Sequence, residues 1–191
     1  MKYLNYFLFL LMLFSFSSYS KDNTKSLLTY DFIGIGFGTT QISQSDLSYE
    51  FNGMAIEGGK LINENYFSEI NYSGATSTDS VIESTQYEIL FGYIKPISKK
   101  THFTGIIGVS PQKIGFSGEK NRDVFIPYGV GIKTKLSDRH EVGYRGYFID
   151  SNFISKALFQ YKIDVNYGLI GQYVNGADSE SFIIGFRIFY D

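Results

Sequence analysis

The sequence contains no cysteine and no tryptophan, and only 3 prolines and 2 histidines. Without cysteine there is no disulfide, no lipid anchor on a thiol and no thiolate for a metal. The two histidines, His102 and His140, are far apart in sequence and offer little for a transition-metal centre. Charge of one sign is also scarce. The 17 Lys and Arg against 19 Asp and Glu leave a net charge of −2, which is no nucleic-acid footprint. Beyond residue 16 no apolar run is long enough for a membrane helix.

What the chain does have is aromatic residues, 18 Phe and 16 Tyr, together with 20 Gly. So many aromatics and glycines without a long apolar run suit a protein that turns an apolar face outward at every second residue. The N-terminus reads differently. Met1-Lys2-Tyr3 carries one positive charge, Leu4 to Phe16 is mostly apolar, and Ser18 and Ser20 supply small residues. This is the pattern of a cleaved signal peptide. Residues 1–20 are therefore expected to be removed, and residues 21–191 to form one barrel domain.

The final stretch is the most regular. Phe182, Ile184, Phe186, Ile188 and Tyr190 share one face, with Ser181, Gly185 and Arg187 on the other. Alternation over ten residues predicts a strand with one apolar side, long enough to cross a bilayer when tilted. The same phase recurs upstream. Ile33, Ile35 and Phe37 oppose Gly34, Gly36 and Gly38 in a strand read from Leu27 to Thr39. Tyr87, Ile89, Phe91 and Tyr93 oppose Gln86, Glu88 and Gly92, and Tyr128, Val130 and Ile132 oppose Gly129, Gly131 and Lys133. Gly34-x-Gly36-x-Gly38 is not a dinucleotide loop, because Thr39 stands where a third glycine belongs and no helix follows.

Strand number turns on Ala157 to Tyr173, which keeps one phase throughout. A single strand of that length would reach roughly 55 Å at about 3.3 Å per residue, far beyond the hydrocarbon core. A three-residue turn at Asp164-Val165-Asn166 divides it and predicts ten strands with both ends on one side. An eight-stranded barrel with a long Ser151–Glu180 excursion is the alternative. Short turns are expected at one end, and polar loops at Gln41–Tyr49, Gly74–Ser84 and Pro111–Asp123 at the other. The expected fold is thus all-β, a closed antiparallel up-and-down transmembrane barrel.

With these residues in view, the mature chain resembles the small outer-membrane β-barrels of the OmpA-type membrane-domain and OmpX-like group, a porin-like architecture. The resemblance rests on the leader, the strand–turn–strand units and the aromatic-ending last strand. It implies a Gram-negative outer membrane, contact with lipid and lipopolysaccharide, insertion by the barrel-assembly machinery, and a monomer. It implies no cofactor and no enzymatic activity. Neither histidine opens the His-x-Ser pattern of barrel lipid A deacylases.

One constellation faces inward: Glu57, Glu69 and Glu88 from early strands, Lys133, Arg145, Lys162 and Arg187 from late ones. Charges of opposite sign on opposite arcs can pair into a plug or line a conduit; a narrow barrel filled by its own side chains favours the plug. The functional expectation is a structural or surface-interaction role through extracellular loops. A narrow pore for small solutes and an outer-membrane hydrolase are the alternatives.

Overall fold

The computed structural model describes residues 28–44, 47–78, 82–116 and 119–190, so the expected signal peptide lies outside the described residues. Eleven β elements follow in order: β1 (Phe32–Gln44), β2 (Leu47–Asn63), β3 (Tyr66–Ser77), β4 (Ile82–Ser98), β5 (Thr101–Phe116), β6 (Glu119–Phe125), β7 (Tyr128–Lys135), β8 (His140–Ile149), β9 (Asn152–Lys162), β10 (Tyr167–Asn175) and β11 (Ser179–Phe189). Chain neighbours pair antiparallel except β6 and β7, which both pair with β5, and β1 closes the ring on β11 from Phe32↔Phe189 to Ile42↔Ser179.

β6 and β7 are two halves of one barrel strand. Both pair with β5, β6 from Ser110↔Phe125 outward and β7 from Thr101↔Thr134 to Ile107↔Tyr128. The break falls at Ile126-Pro127, where proline has no N–H to give to a ladder. The barrel therefore has ten strands, as the parity argument predicts, and the eight-stranded alternative is set aside. The deciding turn is present: Asp164 Oδ1 accepts the backbone N–H of Asn166 and Tyr167, at 2.7 and 2.8 Å. At the opposite end Asp150 and Ser151 both take positive φ, 46° and 66°, the tight two-residue hairpin connection that favours short polar side chains.

Polarity is inverted relative to a soluble domain. Phe37 is 64% exposed and Ile184 58%, whereas Gln160, Glu141 and Arg187 are 0%, 1% and 3% exposed in the interior. Outward aromatics form two girdles. One is at the base, the end with the short turns and the chain ends, where Tyr66 packs on Tyr93. The other lies toward the opposite end, the rim, where Tyr72 packs on Tyr87 and Phe148 packs on both Tyr128 and Phe153. On β3 the step from Tyr66 to Tyr72 covers about 20 Å along the strand at about 3.3 Å per residue.

Two expectations are corrected. The stretches read as loops at Gln41–Tyr49, Gly74–Ser84 and Pro111–Asp123 are mostly strand. The ladders run on to Gln44↔Leu47, Thr76↔Glu83 and Phe116↔Glu119. Past the upper girdle both faces of a strand meet water, so the apolar alternation stops while the backbone pairing continues. The strand read from Leu27 instead begins at Phe32. Leu28 and Tyr30 are buried inside the barrel with Phe67, Leu90, Ile94 and Ile106.

Candidate functional site

The interior is built from the inward phase of every strand, and its lower part is a continuous polar chain. Gly34 on β1 is the register partner of Arg187 on β11 and of Glu57 on β2. Having no side chain, it lets the two ions meet across it, with Arg187 Nε donating to Glu57 Oε1 at 2.6 Å. Gln172 donates to the other Glu57 oxygen at 2.8 Å, and Arg187 Nη1 donates to Gln160 Oε1 at 2.8 Å. Gln160 passes the chain on to Glu141 Oε2 at 3.2 Å. The guanidinium of Arg187 also lies over the ring of Phe32, 3.8 Å from its centre.

Glu141 is the hub at the base. Its oxygens take Lys133 Nζ at 3.3 Å and Lys162 Nζ at 3.2 Å, and Thr29 Oγ1 donates to it at 2.9 Å. Lys133 also donates to the carbonyl of Thr29. These contacts tie the segment before β1 across the base of the lumen. Beside it Tyr30 stacks on His102, with Tyr30 Oη 3.2 Å from His102 Nδ1.

A second pair crosses the barrel. Arg145 on β8 forks onto Glu69 on β3 through both terminal nitrogens, at 2.8 and 3.0 Å. The geometry is bidentate, the form in which a guanidinium holds a carboxylate most firmly. Among the described residues Glu88, the third early acid, makes no ion pair, and Arg145 is a cation within its electrostatic reach. It accepts from Asn71 Nδ2 at 3.2 Å and from Gln86 Nε2 at 3.3 Å. Among the described residues no buried side-chain nitrogen or oxygen lacks a hydrogen-bond partner.

All seven inward charges named from the sequence thus lie in the lumen, six of them in ion pairs. Two interior charges were missing from that set. Glu141 shares its face with Arg145, and Lys156 opposes Ala157; both phases were legible. Only ring closure, however, reveals what each faces. On the last strand Phe182, Ile184 and Ile188 are exposed outward and Phe186 stacks on Tyr167. Tyr190 departs from the expected lipid-facing stripe. It lies just past β11, half-buried, and its hydroxyl reaches across β1 to donate to the Gly59 carbonyl of β2 at 2.8 Å.

Above the polar chain lies a cavity of roughly 250 Å³, reaching from Glu57 and Lys156 up to Ile42, Ser84, Gln112 and Ser179 near the rim. None of Leu28, Tyr30, Phe67, His102 or Lys133 lines it. A second void of about 70 Å³, bordered by Tyr30, Glu69, Lys133 and Arg145, has room for a few waters. The other histidine, His140, opens β8 just after a turn at the base, with Ser137 Oγ 2.7 Å from its Nδ1. That hydroxyl also accepts the backbone N–H of Arg139 and His140, which makes the contact a turn staple. Among the described residues no three His, Asp or Glu side chains are grouped to hold a metal.

A closed ten-stranded ring with apolar residues outside and paired charges inside is the fold of small outer-membrane β-barrel proteins. No protein-family model matches the chain, and no curated protein matches it. Among solved structures it is similar to an outer membrane channel from Pseudomonas putida F1, with 8% identity, 91% of this chain and 100% of that chain covered, and a TM-score of 0.52. Neisserial surface protein A aligns at 11% identity over 83% of this chain and 96% of that one, with a TM-score of 0.48. The KdgM porin in complex with disordered oligogalacturonate aligns at 11% identity over 84% and 99%, with a TM-score of 0.47. At such identities the likeness is one of fold alone.

Proposed function

We propose that this chain is an integral outer-membrane barrel with a closed lumen, acting outward as a structural or surface-interaction protein. The observation that carries this reading is the polar chain Gln172–Glu57–Arg187–Gln160–Glu141–Lys133, completed at the base by Thr29 and Tyr30. A conduit needs charges that face water. These are consumed by one another, as buried ions must be if they are not to remain unmatched. The parts free to meet a partner are the hairpins that continue past the rim girdle, led by β2, β4 and β5.

In this reading the base faces the periplasm, the hairpins face outward, and the leader is removed on export. Lipid and lipopolysaccharide cover the apolar belt, the barrel-assembly machinery inserts the chain, and the barrel works as a monomer without a cofactor or enzymatic activity. Purified barrel reconstituted in planar bilayers should give no steady conductance. Cells lacking it should lose adhesion or envelope integrity. A narrow pore is the second reading, favoured by the cavity at the rim, and stable open channels in the bilayer would select it instead. The hydrolase reading finds no support in either histidine, since His102 is held by Tyr30 and His140 by its own turn.

A further inference from the structure

We propose that the cavity near the rim is a binding site for a small zwitterion, of amino-acid to dipeptide size, recognised by Lys156 and Glu88. Among the described residues the charges of the lumen include the carboxylates Glu57, Glu69, Glu88 and Glu141 and the cations Lys133, Arg145, Lys156, Lys162 and Arg187. Among the described residues every one of these except Glu88 and Lys156 belongs to an ion pair within the barrel. The two exceptions line the same cavity.

Their settings differ in a way that suits recognition. Glu88 on β4 is held in place by two side-chain amides, and one of these, Gln86, is itself anchored on Ser110 Oγ at 3.0 Å. Each of its oxygens accepts one neutral N–H and keeps capacity for a cation. Lys156 on β9 is the register partner of Arg145, whose guanidinium is already spent on Glu69. Among the described residues the Lys156 ammonium makes no hydrogen bond and no ion pair. The carboxylates within its electrostatic reach, Glu57 and Glu69, are both held by arginines.

A ligand with a single charge would satisfy one of these groups and bring repulsion to the other. A molecule carrying both an ammonium and a carboxylate satisfies both, replacing the water that must otherwise solvate them. The remaining wall offers hydroxyls and amides, among them Thr40, Gln112, Tyr147 and Ser181. A volume of roughly 250 Å³ lies just below the common range of ligand pockets, about 300–1,000 Å³, and suits a small molecule. This inference does not depend on the closed-lumen reading, because a blind cup and a conducting pore can both carry such a site.

The test uses the full barrel, labelled and folded in detergent micelles, titrated with glycylglycine and followed through the side-chain amide resonances of Gln86, Gln112 and Gln172. Two blocked probes accompany it: N-acetyl-glycylglycine, which keeps only the anion, and glycylglycine amide, which keeps only the cation. Saturable shifts are expected with glycylglycine, and each blocked probe should bind about tenfold more weakly or worse. Lys156→Met and Glu88→Gln should each weaken glycylglycine binding to a similar degree, while Lys156→Arg retains it. Lys60→Met, outside the cavity, should change nothing. Failure of glycylglycine to saturate, or blocked probes binding as tightly as the zwitterion, would overturn the proposal. Folding of each variant is checked by its heat-dependent gel migration, and loss of binding counts only in a folded barrel. Should Lys156→Met fail to fold, the probe series on the parent decides alone.

Discussion

Arg187 and Glu57 meet across Gly34, the residue with which both are in register from the strands on either side. The pair is almost fully buried, so removing one partner leaves an ion with no counter-ion in direct contact. Arg187→Leu leaves Glu57 with Gln172 as its hydrogen-bond donor and Lys156 only within electrostatic reach, and it frees Gln160 from its donor. A loss of about 3–5 kcal/mol is expected where the site is dry. The midpoint of heat-induced unfolding in detergent gels should fall accordingly. Arg187→Leu with Glu57→Gln should recover part of that loss, because the two sites are coupled.

The glycine beneath the pair makes a separate prediction. A Cβ added at Gly34 would lie 3.0 Å from both Arg187 Cγ and Glu57 Oε1, tighter than ordinary contact. Gly34→Ala should therefore lower the unfolding midpoint modestly. Gly34→Val, which needs more room between the ions, should lower it further, with a loss of stability of about 1–3 kcal/mol, the usual cost of overpacking. Gly171, whose added Cβ meets nothing within 4 Å, is the control and should tolerate alanine. Equal sensitivity at Gly34 and Gly171 would mean that the glycines serve the bend of the strands and not the ion pair.

How far this interior could be read in advance depends on which solvents flank each strand. Where lipid lies outside and a polar lumen inside, residues such as Ile33/Gly34 and Ile188/Arg187 announce their faces, and the length limit on one strand placed the turn at Asp164-Val165-Asn166. Above the rim girdle the same strands have water on both sides. Stretches such as Asn52 to Leu47 carry no alternation and look like loops, although their ladders are intact. Partners were a different matter. Glu141 reads as inward from Val142 and Tyr144, but its contacts with Lys133, Lys162 and Thr29 come from three separate parts of the chain. Tyr30 escaped because a residue folded into the lumen ahead of β1 has the same local pattern as one within a strand.

Arg145 decides between a filled and a conducting lumen. Its fork onto Glu69 spans β8 to β3, far apart around the ring. In a plug the fork is part of what holds the barrel shut. Arg145→Leu should then unfold at a clearly lower temperature, and Arg145→Leu with Glu69→Gln should regain part of the difference. In a pore the same variant would stay stable and change ion selectivity. The combined readout is thermal unfolding and planar-bilayer current on the same preparation. The plug predicts the first to move and the second to stay at baseline.

Orientation can be tested at the turns. Val165, 83% exposed, sits in the base turn, and Asp178 lies between β10 and β11 at the opposite end. Single cysteines at these positions add the only thiols to a chain that has none. In whole cells a membrane-impermeant thiol reagent should label the cysteine at 178 and spare the one at 165. The reverse pattern would invert the barrel and place the extended hairpins in the periplasm, removing the outward role proposed for them.

The closing strand makes the final prediction. Tyr190 does more than end the chain on an aromatic: its hydroxyl ties β11 to the Gly59 carbonyl of β2, and the Lys60 ammonium lies 5.7 Å from the centre of its ring. Tyr190→Phe keeps the ring and loses the hydrogen bond, worth about 0.5–1.5 kcal/mol for a neutral pair. Tyr190→Ala loses both. Phe186→Asp acts elsewhere, at the outward face where Phe186 stacks on Tyr167, and puts a carboxylate toward lipid. A charge there costs up to about 2–4 kcal/mol for Arg or Lys at the midplane, and less for Asp. The expected order of inserted protein is therefore parent, then Tyr190→Phe, then Tyr190→Ala, with Phe186→Asp also clearly reduced. It is measured as the heat-modifiable fraction in outer-membrane preparations. Equal insertion of Tyr190→Phe and parent alongside a lower unfolding midpoint would assign the hydroxyl to stability. Reduced insertion at an unchanged midpoint would assign it to assembly, because the contact with Gly59 can form only once β11 has closed on β1.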